Sequence, residues 1–173
     1  MSKKEEIYFY SKLVRDAIDN IELETLSAHF HHFPNKSCVA AAVVLGTYLD
    51  ELGYTPILRI LKICRIPEQI HSHTWLEHDK MLIDITADQF NNHSELGKVF
   101  GPKCNVIVTE NGSEWYKVFD SDIGPEDKEI AHYSWYDAVG DDITARILEG
   151  DYLKILNNIP KKYWPERRKK RIG

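Results

Sequence analysis

The chain has few cysteines and no long apolar run, and each shortage excludes a class of protein. No apolar stretch reaches the roughly 18 residues needed to cross a bilayer. Residues 1–6 lead into an amphipathic segment, and not into the apolar core of a signal peptide. Cys38, Cys64 and Cys104 are too few and too scattered for a disulfide framework or a paired-cysteine zinc site. We therefore expect a cytoplasmic protein whose thiols stay reduced.

The rest of the composition is that of an ordinary globular domain. Of its 173 residues, 43% are apolar and 28% are charged, which is enough for one domain with a proper core. No internal repeat is found, and the only biased segment is the C-terminus. We predict a single domain over residues 1–160 and a basic tail over residues 161–173.

The net charge of −5 conceals a basic tail on an acidic body. Residues 161–173 hold seven of the 22 Lys and Arg and one of the 27 Asp and Glu, which leaves the body with 15 bases, 26 acids and a charge of −11. A body this acidic argues against nucleic acid as the main partner. The tail could contact RNA, anionic lipid or an acidic protein, but a solvated, frayed terminus is the simpler interpretation. The sequence does not specify the oligomeric state.

Hydrophobic spacing predicts helices at both ends of the chain and in its middle. Residues 3–30 carry apolar residues three and four positions apart, with Asn20 as a point of division. Residues 38–52 are rich in alanine at the start and end at Gly53, so they predict a slim central helix. Residues 134–157 form a third helical segment.

The predicted strands lie between these helices and are joined by hairpins. Residues 57–66 are β-like and precede a hairpin that ends at Asp84. Residues 105–109 and 114–119 flank an Asn-Gly pair, which is a strong turn signal. Because the hairpins are adjacent and no βαβ alternation occurs, we predict an α+β fold with an antiparallel sheet.

The hairpin from His73 to Asp84 is the most informative segment of the chain. Apolar and polar residues alternate on both sides of the break His78-Asp79, which predicts two strands joined by a tight turn. Opposite residues on one face have Cβ atoms roughly 4.5–5.5 Å apart, close enough for a carboxylate to orient an imidazole. A register slip of one residue would move the two groups to opposite faces. The predicted opposite pairs are Glu77 with Lys80, Trp75 with Leu82, and His73 with Asp84.

Cys38 is the candidate nucleophile for this His–Asp pair. It follows Ser37, a residue typical of helix N-caps, and so falls in the first turn of the central helix. The helix dipole and the free N–H groups of that turn lower a thiol pKa. The same N–H groups stabilise an oxyanion when a thiolate attacks a carbonyl. Nucleophile, base and orienting carboxylate then follow in chain order.

Three segments carry a family pattern. They are Phe33-Pro-Asn-Lys-Ser-Cys38 before an alanine-rich helix, His73-Thr-Trp-Leu-Glu77, and Ile83-Asp-Ile-Thr86. Together, over about a third of the chain, they resemble the transglutaminase-like superfamily, which belongs to the broader papain-like thiol enzymes. The resemblance implies a papain-like core of N-terminal and central helices packed on an antiparallel sheet, with C-terminal helices after it. It implies Cys38 as nucleophile, His73 as general base and Asp84 as the residue that orients the histidine.

The function implied by this resemblance is that of a thiol-dependent hydrolase or acyltransferase. The enzyme would cleave an amide or ester bond through a Cys38 thioester, as a peptidase, an amidase or a transglutaminase-like enzyme. The substrate would be a peptide or a small amide or ester, and no cofactor is required. Trp75 would line the cleft, shield the His–Asp pair, or simply pack in the core. A catalytically inactive papain-like module that binds a peptide or protein is the alternative function.

Other polar residues near these motifs allow further interpretations. His71 and His73 share a strand face and, with Cys38 or a residue of the His29–His32 cluster, would ligate zinc tetrahedrally. Gln89 would donate a hydrogen bond near the thiol or be a surface loop amide, and we do not include it in the catalytic set. Cys64 and Cys104 are assigned to packing.

Overall fold

The computed structural model describes residues 1–66, 69–91, 104–110, 119, 128–129 and 141–170, with the backbone alone given for 64–66, 69–71 and 128–129. Within these ranges, none of the helices has the length and apolar character needed to traverse a bilayer.

The N-terminal helix is shorter than predicted. Helix α1 spans Lys3–Asp19 and begins with a capping box, in which Ser2 and Glu5 satisfy each other's backbone N–H groups. It ends where the Asn20 side-chain amide donates to the Asp16 carbonyl at 2.7 Å. The predicted division at Asn20 is therefore confirmed, whereas the predicted helical continuation to residue 30 is wrong, since only a 3₁₀ turn at Leu23–Thr25 follows.

The predicted central helix is present. Helix α2 spans Cys38–Glu51, and Gly53 follows it with φ of 97°, a left-handed conformation that favours glycine at a helix end. Every residue from Ala40 to Asp50 is buried. A helix that is covered on all sides belongs to the interior of its fold. Helix α2 accordingly packs on strand β2 (Gln69–His78) and against the N- and C-terminal helices.

The sheet is antiparallel and confirms the α+β class. Its strands are β1 (Leu58–Ile66), β2, β3 (Met81–Asp84), β4 (Ile107–Glu110) and β5 (Lys128–Glu129), in the spatial order β4-β3-β2-β1-β5. Strand β4 overlaps the predicted strand at 105–109 from Ile107 onward. Its predicted hairpin partner at 114–119 lies outside the described residues except for Phe119, which is not in a strand.

The hairpin between β2 and β3 forms, but its turn lies one residue later than predicted. Asp79 and Lys80 both have left-handed φ angles, 47° and 63°, which is the pattern of a two-residue type I′ turn. The observed opposite pairs are His78 with Met81, Glu77 with Leu82, and Leu76 with Ile83. The three predicted pairings are therefore wrong. Moving a turn by one residue shifts the pairing by two, which keeps each side chain on its predicted face.

The two faces of the sheet carry separate apolar clusters. The larger core joins α1 and α2 to one face through residues such as Leu76 and Ile83. A smaller cluster covers the other face and includes Trp75, Phe90 and Phe119. The candidate residues His73 and Asp84 lie on the interior strands β2 and β3, and His73 contacts the rings of the smaller cluster.

The C-terminal part of the chain folds back on α2. Helix α3 spans Asp142–Asn157 and is followed by a 3₁₀ turn at Lys161–Tyr163 and the short helix α4 at Glu166–Lys169. The predicted helix at 134–157 agrees with α3 from Asp142 onward, while 134–140 lie outside the described residues. Trp164 is only 4% exposed and donates its indole N–H to the Ile159 carbonyl at 2.8 Å.

The basic tail is not a frayed terminus over residues 161–170. Its Arg168 guanidinium donates to both carboxylate oxygens of Glu51, at 2.7 Å from Nη2 and 3.1 Å from Nε. The Glu51 side chain is fully buried, and it also accepts the Tyr152 hydroxyl at 2.7 Å. The Glu51 carboxylate at the end of α2 thus binds the basic segment through Arg168. The interpretation of the tail as a solvated terminus is therefore wrong for residues 161–170.

Replacing Arg168 with methionine is expected to lower the free energy of unfolding by about 2 kcal/mol, because a charge-assisted hydrogen-bond pair to a buried carboxylate is lost. Urea unfolding measures this. Lys169→Met is the matched control, since the exposed Lys169–Glu166 pair contributes about 0.5 kcal/mol or less. Equal losses in the two variants would contradict the packed arrangement of the tail.

Candidate active site

Cys38 begins α2 with unusually open backbone donors beside it. Ser37 holds the predicted N-cap position, but its hydroxyl donates to the Asn35 carbonyl at 3.2 Å and makes no cap hydrogen bond. The first helical bond runs from the Ala41 N–H to the Ser37 carbonyl at 2.8 Å. The amides before Ala41 in this turn therefore have no partner within the helix.

His73 and Asp84 form the predicted pair. The His73 ring is fully buried, Asp84 is 2% exposed, and 2.6 Å separates His73 Nε2 from Asp84 Oδ2. The other carboxylate oxygen, Oδ1, accepts the Thr86 backbone N–H at 2.7 Å and the Thr86 hydroxyl at 3.1 Å. The carboxylate is thus fixed on both sides, so it fixes the imidazole in turn.

The thiol of Cys38 lies against this pair. Burial raises the pKa of Cys38, but the hydrogen bond and charge of His73, together with the Thr74 backbone N–H, lower it by more. Burial disfavours the charged His73 ring, yet Asp84 and then Cys38 raise the pKa of His73 to about 9. Cys38 and Asp84 also line one internal gap of about 10 Å³. The structure therefore places Cys38, His73 and Asp84 together.

Gln89 is a member of the site that sequence reasoning left out. Its side-chain Nε2 lies 3.1 Å from His73 Nδ1 and 3.0 Å from the Thr86 carbonyl. Since the Thr86 carbonyl can only accept, the amide nitrogen must face this way, and it can donate to Nδ1 only when the ring is neutral. Gln89 is half-buried, so the surface-loop interpretation is wrong. The local signal was its position five residues after Asp84, in a 3₁₀ turn (Ala87–Phe90) that folds back on the strand.

A buried arginine anchors that turn. Arg15 of α1 is 5% exposed and binds the Asp88 carboxylate with two parallel hydrogen bonds of 2.8 Å. It also donates to the Ile85 carbonyl at 2.7 Å and pairs with Asp19 at 2.9 Å. Arg15 therefore ties α1 to the segment between Asp84 and Gln89. Nothing in the helical pattern of α1 distinguishes it from a surface arginine.

Aromatic rings enclose the histidine. The centroids of Trp75, Phe90 and Phe119 lie 5.9, 5.1 and 5.4 Å from that of the His73 ring. Trp75 is 4% exposed, and its indole N–H donates to Glu77 at 3.2 Å. Of the interpretations left open for Trp75, this position matches shielding of the His–Asp pair, while contact with substrate stays a prediction.

The remaining candidate residues lie elsewhere or outside the described part. Within the described ranges, no group of three or more His, Cys, Asp or Glu side chains is placed to hold a metal ion. His31 lies against the Leu26 carbonyl at 3.1 Å, and the His71 side chain is outside the described residues. Cys104 is exposed, so its assignment to packing is wrong. The Cys64 side chain is likewise outside the described set.

Comparisons with protein-family models, with curated proteins and with solved structures find no match to this chain. We therefore infer the function from the geometry of the site and from the three motifs.

Proposed function

We propose that this chain is a thiol-dependent hydrolase or acyltransferase with a papain-like, transglutaminase-like core, acting on an amide or ester bond. The observation that carries the proposal is the connected chain of Cys38, His73 and Asp84 in one buried cluster. A thiol whose pKa is lowered by an imidazole, itself held by a carboxylate, is the arrangement of an activated nucleophile.

The proposed reaction begins with a proton transfer from the Cys38 thiol to His73. Nε2 of His73 is engaged by Asp84, so the acceptor is Nδ1, which first releases the Gln89 N–H. The thiolate attacks the carbonyl carbon and forms a C–S bond. The tetrahedral intermediate then collapses, the C–N or C–O bond breaks, and the imidazolium protonates the leaving group. Water or an amine next attacks the thioester with His73 as base, and the thiolate leaves.

Two features of the surroundings support these steps. Asp84 stabilises the imidazolium formed by the first transfer, because the two groups are buried and 2.6 Å apart. The Cys38 backbone N–H lies at a helix start whose serine hydroxyl points away, so it is placed to donate to the developing oxyanion.

An inactive binding module is the competing function, and two observations favour it. Cys38 is only 8% exposed, and the Gln89 amide occupies the nitrogen that must accept the thiol proton. Such a site could bind a peptide without reacting.

Acylation by a nitrophenyl ester decides between the two functions. Intact-protein mass spectrometry should show one acyl group on the wild-type chain and on Cys104→Ala, the matched control with an exposed thiol removed. The acyl group should be absent from Cys38→Ala, and His73→Ala should acylate at least about 100-fold more slowly. Acylation that survives Cys38→Ala would support the inactive module.

Replacing Gln89 with leucine is expected to speed alkylation of Cys38 at about pH 6 by about three- to tenfold. The lost hydrogen bond stabilises the neutral ring by about 0.5–1.5 kcal/mol, so its removal favours the thiolate–imidazolium pair. The rate with iodoacetamide measures this. In a His73→Ala background the same replacement should have no effect, and a slowing in the wild-type background would show that Gln89 positions the ring instead.

A further inference from the structure

A cavity of about 260 Å³ opens at the start of α2, next to the proposed nucleophile. Val39 and Ala40, the two residues after Cys38, form one wall, and Arg59 of β1 forms another. The sheet register explains the position of Arg59, because it pairs with Leu76 on the face that packs against α2. This cavity, which we call the α2 cavity, is thus lined by the two residues that follow Cys38 in the chain.

Arg59 is the feature of the α2 cavity that requires a ligand. It is 8% exposed, and among the described residues no carboxylate or carbonyl binds its guanidinium. Burial alone lowers its pKa, but a guanidinium remains charged at neutral pH. A buried charge without a partner is costly. Within the described part of the chain, Arg59 therefore provides a cation without a counter-ion, and it lines a space large enough for one.

The other groups around the cavity favour a single negative charge. Lys36 adds a second cation, held by a left-handed backbone with φ of 59°. Asp141 subtracts one charge, although its carboxylate is occupied as the N-cap of α3, where it accepts the Thr144 N–H at 2.7 Å. Arg59, Lys36 and Asp141 together give the cavity a net charge of +1, and the N-terminus of α2 adds to the positive potential.

We propose that the α2 cavity binds a carboxylate carried by the acyl substrate of Cys38, with Arg59 as its counter-ion. This inference depends on the proposed function and adds a substrate class to it. The volume lies below the roughly 300–1,000 Å³ of pockets for drug-sized ligands, so it fits a group the size of an acidic side chain. The substrate is thus an amide or ester of a short dicarboxylate or of an acidic peptide.

Binding is tested first without the chemistry. In Cys38→Ala, glutarate should shift the backbone amide NMR signals of Val39 and Ala40 in a saturable way, whereas neutral glutaramide should not. Arg59→Gln should lower the affinity for glutarate by about tenfold or more, since a charge-assisted hydrogen bond is lost. Lys36→Gln should lower this affinity by a smaller factor. Arg146→Gln, which removes an exposed arginine of α3, is the matched control and should have no effect.

Reactivity then tests the link to Cys38. The nitrophenyl hemiester of glutarate should acylate Cys38 at least about tenfold faster than the matching valerate ester, and Arg59→Gln should remove the preference. Equal acylation by both esters would overturn the inference and leave the thiol function intact. Glutarate binding with no acylation by either ester would support the anion site and overturn the enzymatic function. Tighter binding of inorganic phosphate than of glutarate would contradict the carboxylate assignment.

Discussion

At about pH 6, iodoacetamide is expected to modify Cys38 at least about tenfold faster than Cys64 or Cys104. The reason is that the pKa of Cys38 is lowered by the His73 hydrogen bond and charge, and by the Thr74 N–H. The pH dependence of the alkylation rate follows from the opposite pKa shifts of Cys38 and His73. The imidazolium persists up to about pH 9, where the raised pKa of His73 lies, and the thiolate persists below the ordinary thiol pKa. Alkylation should then fall only as the pH drops through the lowered pKa of Cys38.

His73→Ala is the variant that separates this account from simple exposure. Without the imidazolium, burial and the Asp84 charge raise the pKa of Cys38 by more than the Thr74 N–H lowers it, so alkylation at about pH 6 should slow by about 100-fold. Peptide mapping after a short reaction measures all three cysteines in one sample. Equal and slow modification of the three thiols in the wild-type chain would refute an activated Cys38.

Replacing Arg15 with methionine is expected to lower the free energy of unfolding by about 3–5 kcal/mol. The replacement leaves the Asp88 carboxylate without the two hydrogen bonds that hold it, and the cost of breaking a buried pair exceeds that of losing the contact alone. Chemical denaturation of both chains measures the difference.

Lys12→Met is the matched control for Arg15→Met. Lys12 pairs with Asp16 on the exposed side of the same helix, and such pairs contribute about 0.5 kcal/mol or less. If Arg15→Met cost no more than Lys12→Met, the tie between α1 and the Asp84–Gln89 segment would contribute nothing to stability.

Local patterns were sufficient to predict much of the site. The spacing of apolar residues predicted α2, and the alternation around residue 78 predicted the hairpin. The turn position was not predictable because His78 reads as polar. In the structure His78 is 3% exposed, and its Nδ1 lies 2.9 Å from the Pro56 carbonyl, so it belongs to the strand. Only the even size of the resulting register shift kept His73 and Asp84 on one face.

The features that sequence reasoning missed all depend on contacts between distant segments. Arg15 and Asp88 are 73 positions apart, and Glu51 and Arg168 are 117 apart. The spacing of apolar residues within one helix or strand does not indicate an ion-pair partner in a distant segment. The sequence pattern of β1 likewise does not reveal the proposed anion-binding role of Arg59, because that role depends on the cavity that Arg59 lines and not on its neighbours in the chain.

The ultraviolet absorbance of the Cys38 thiolate, titrated with pH as the difference between the wild-type chain and Cys38→Ala, tests the central claim most directly. We expect a transition midpoint below that of an ordinary thiol in the wild-type chain, and a midpoint above the ordinary value in His73→Ala, where burial and the Asp84 charge outweigh the Thr74 N–H. A wild-type midpoint at or above the ordinary value, unchanged by His73→Ala, would contradict the proposed Cys38–His73–Asp84 site.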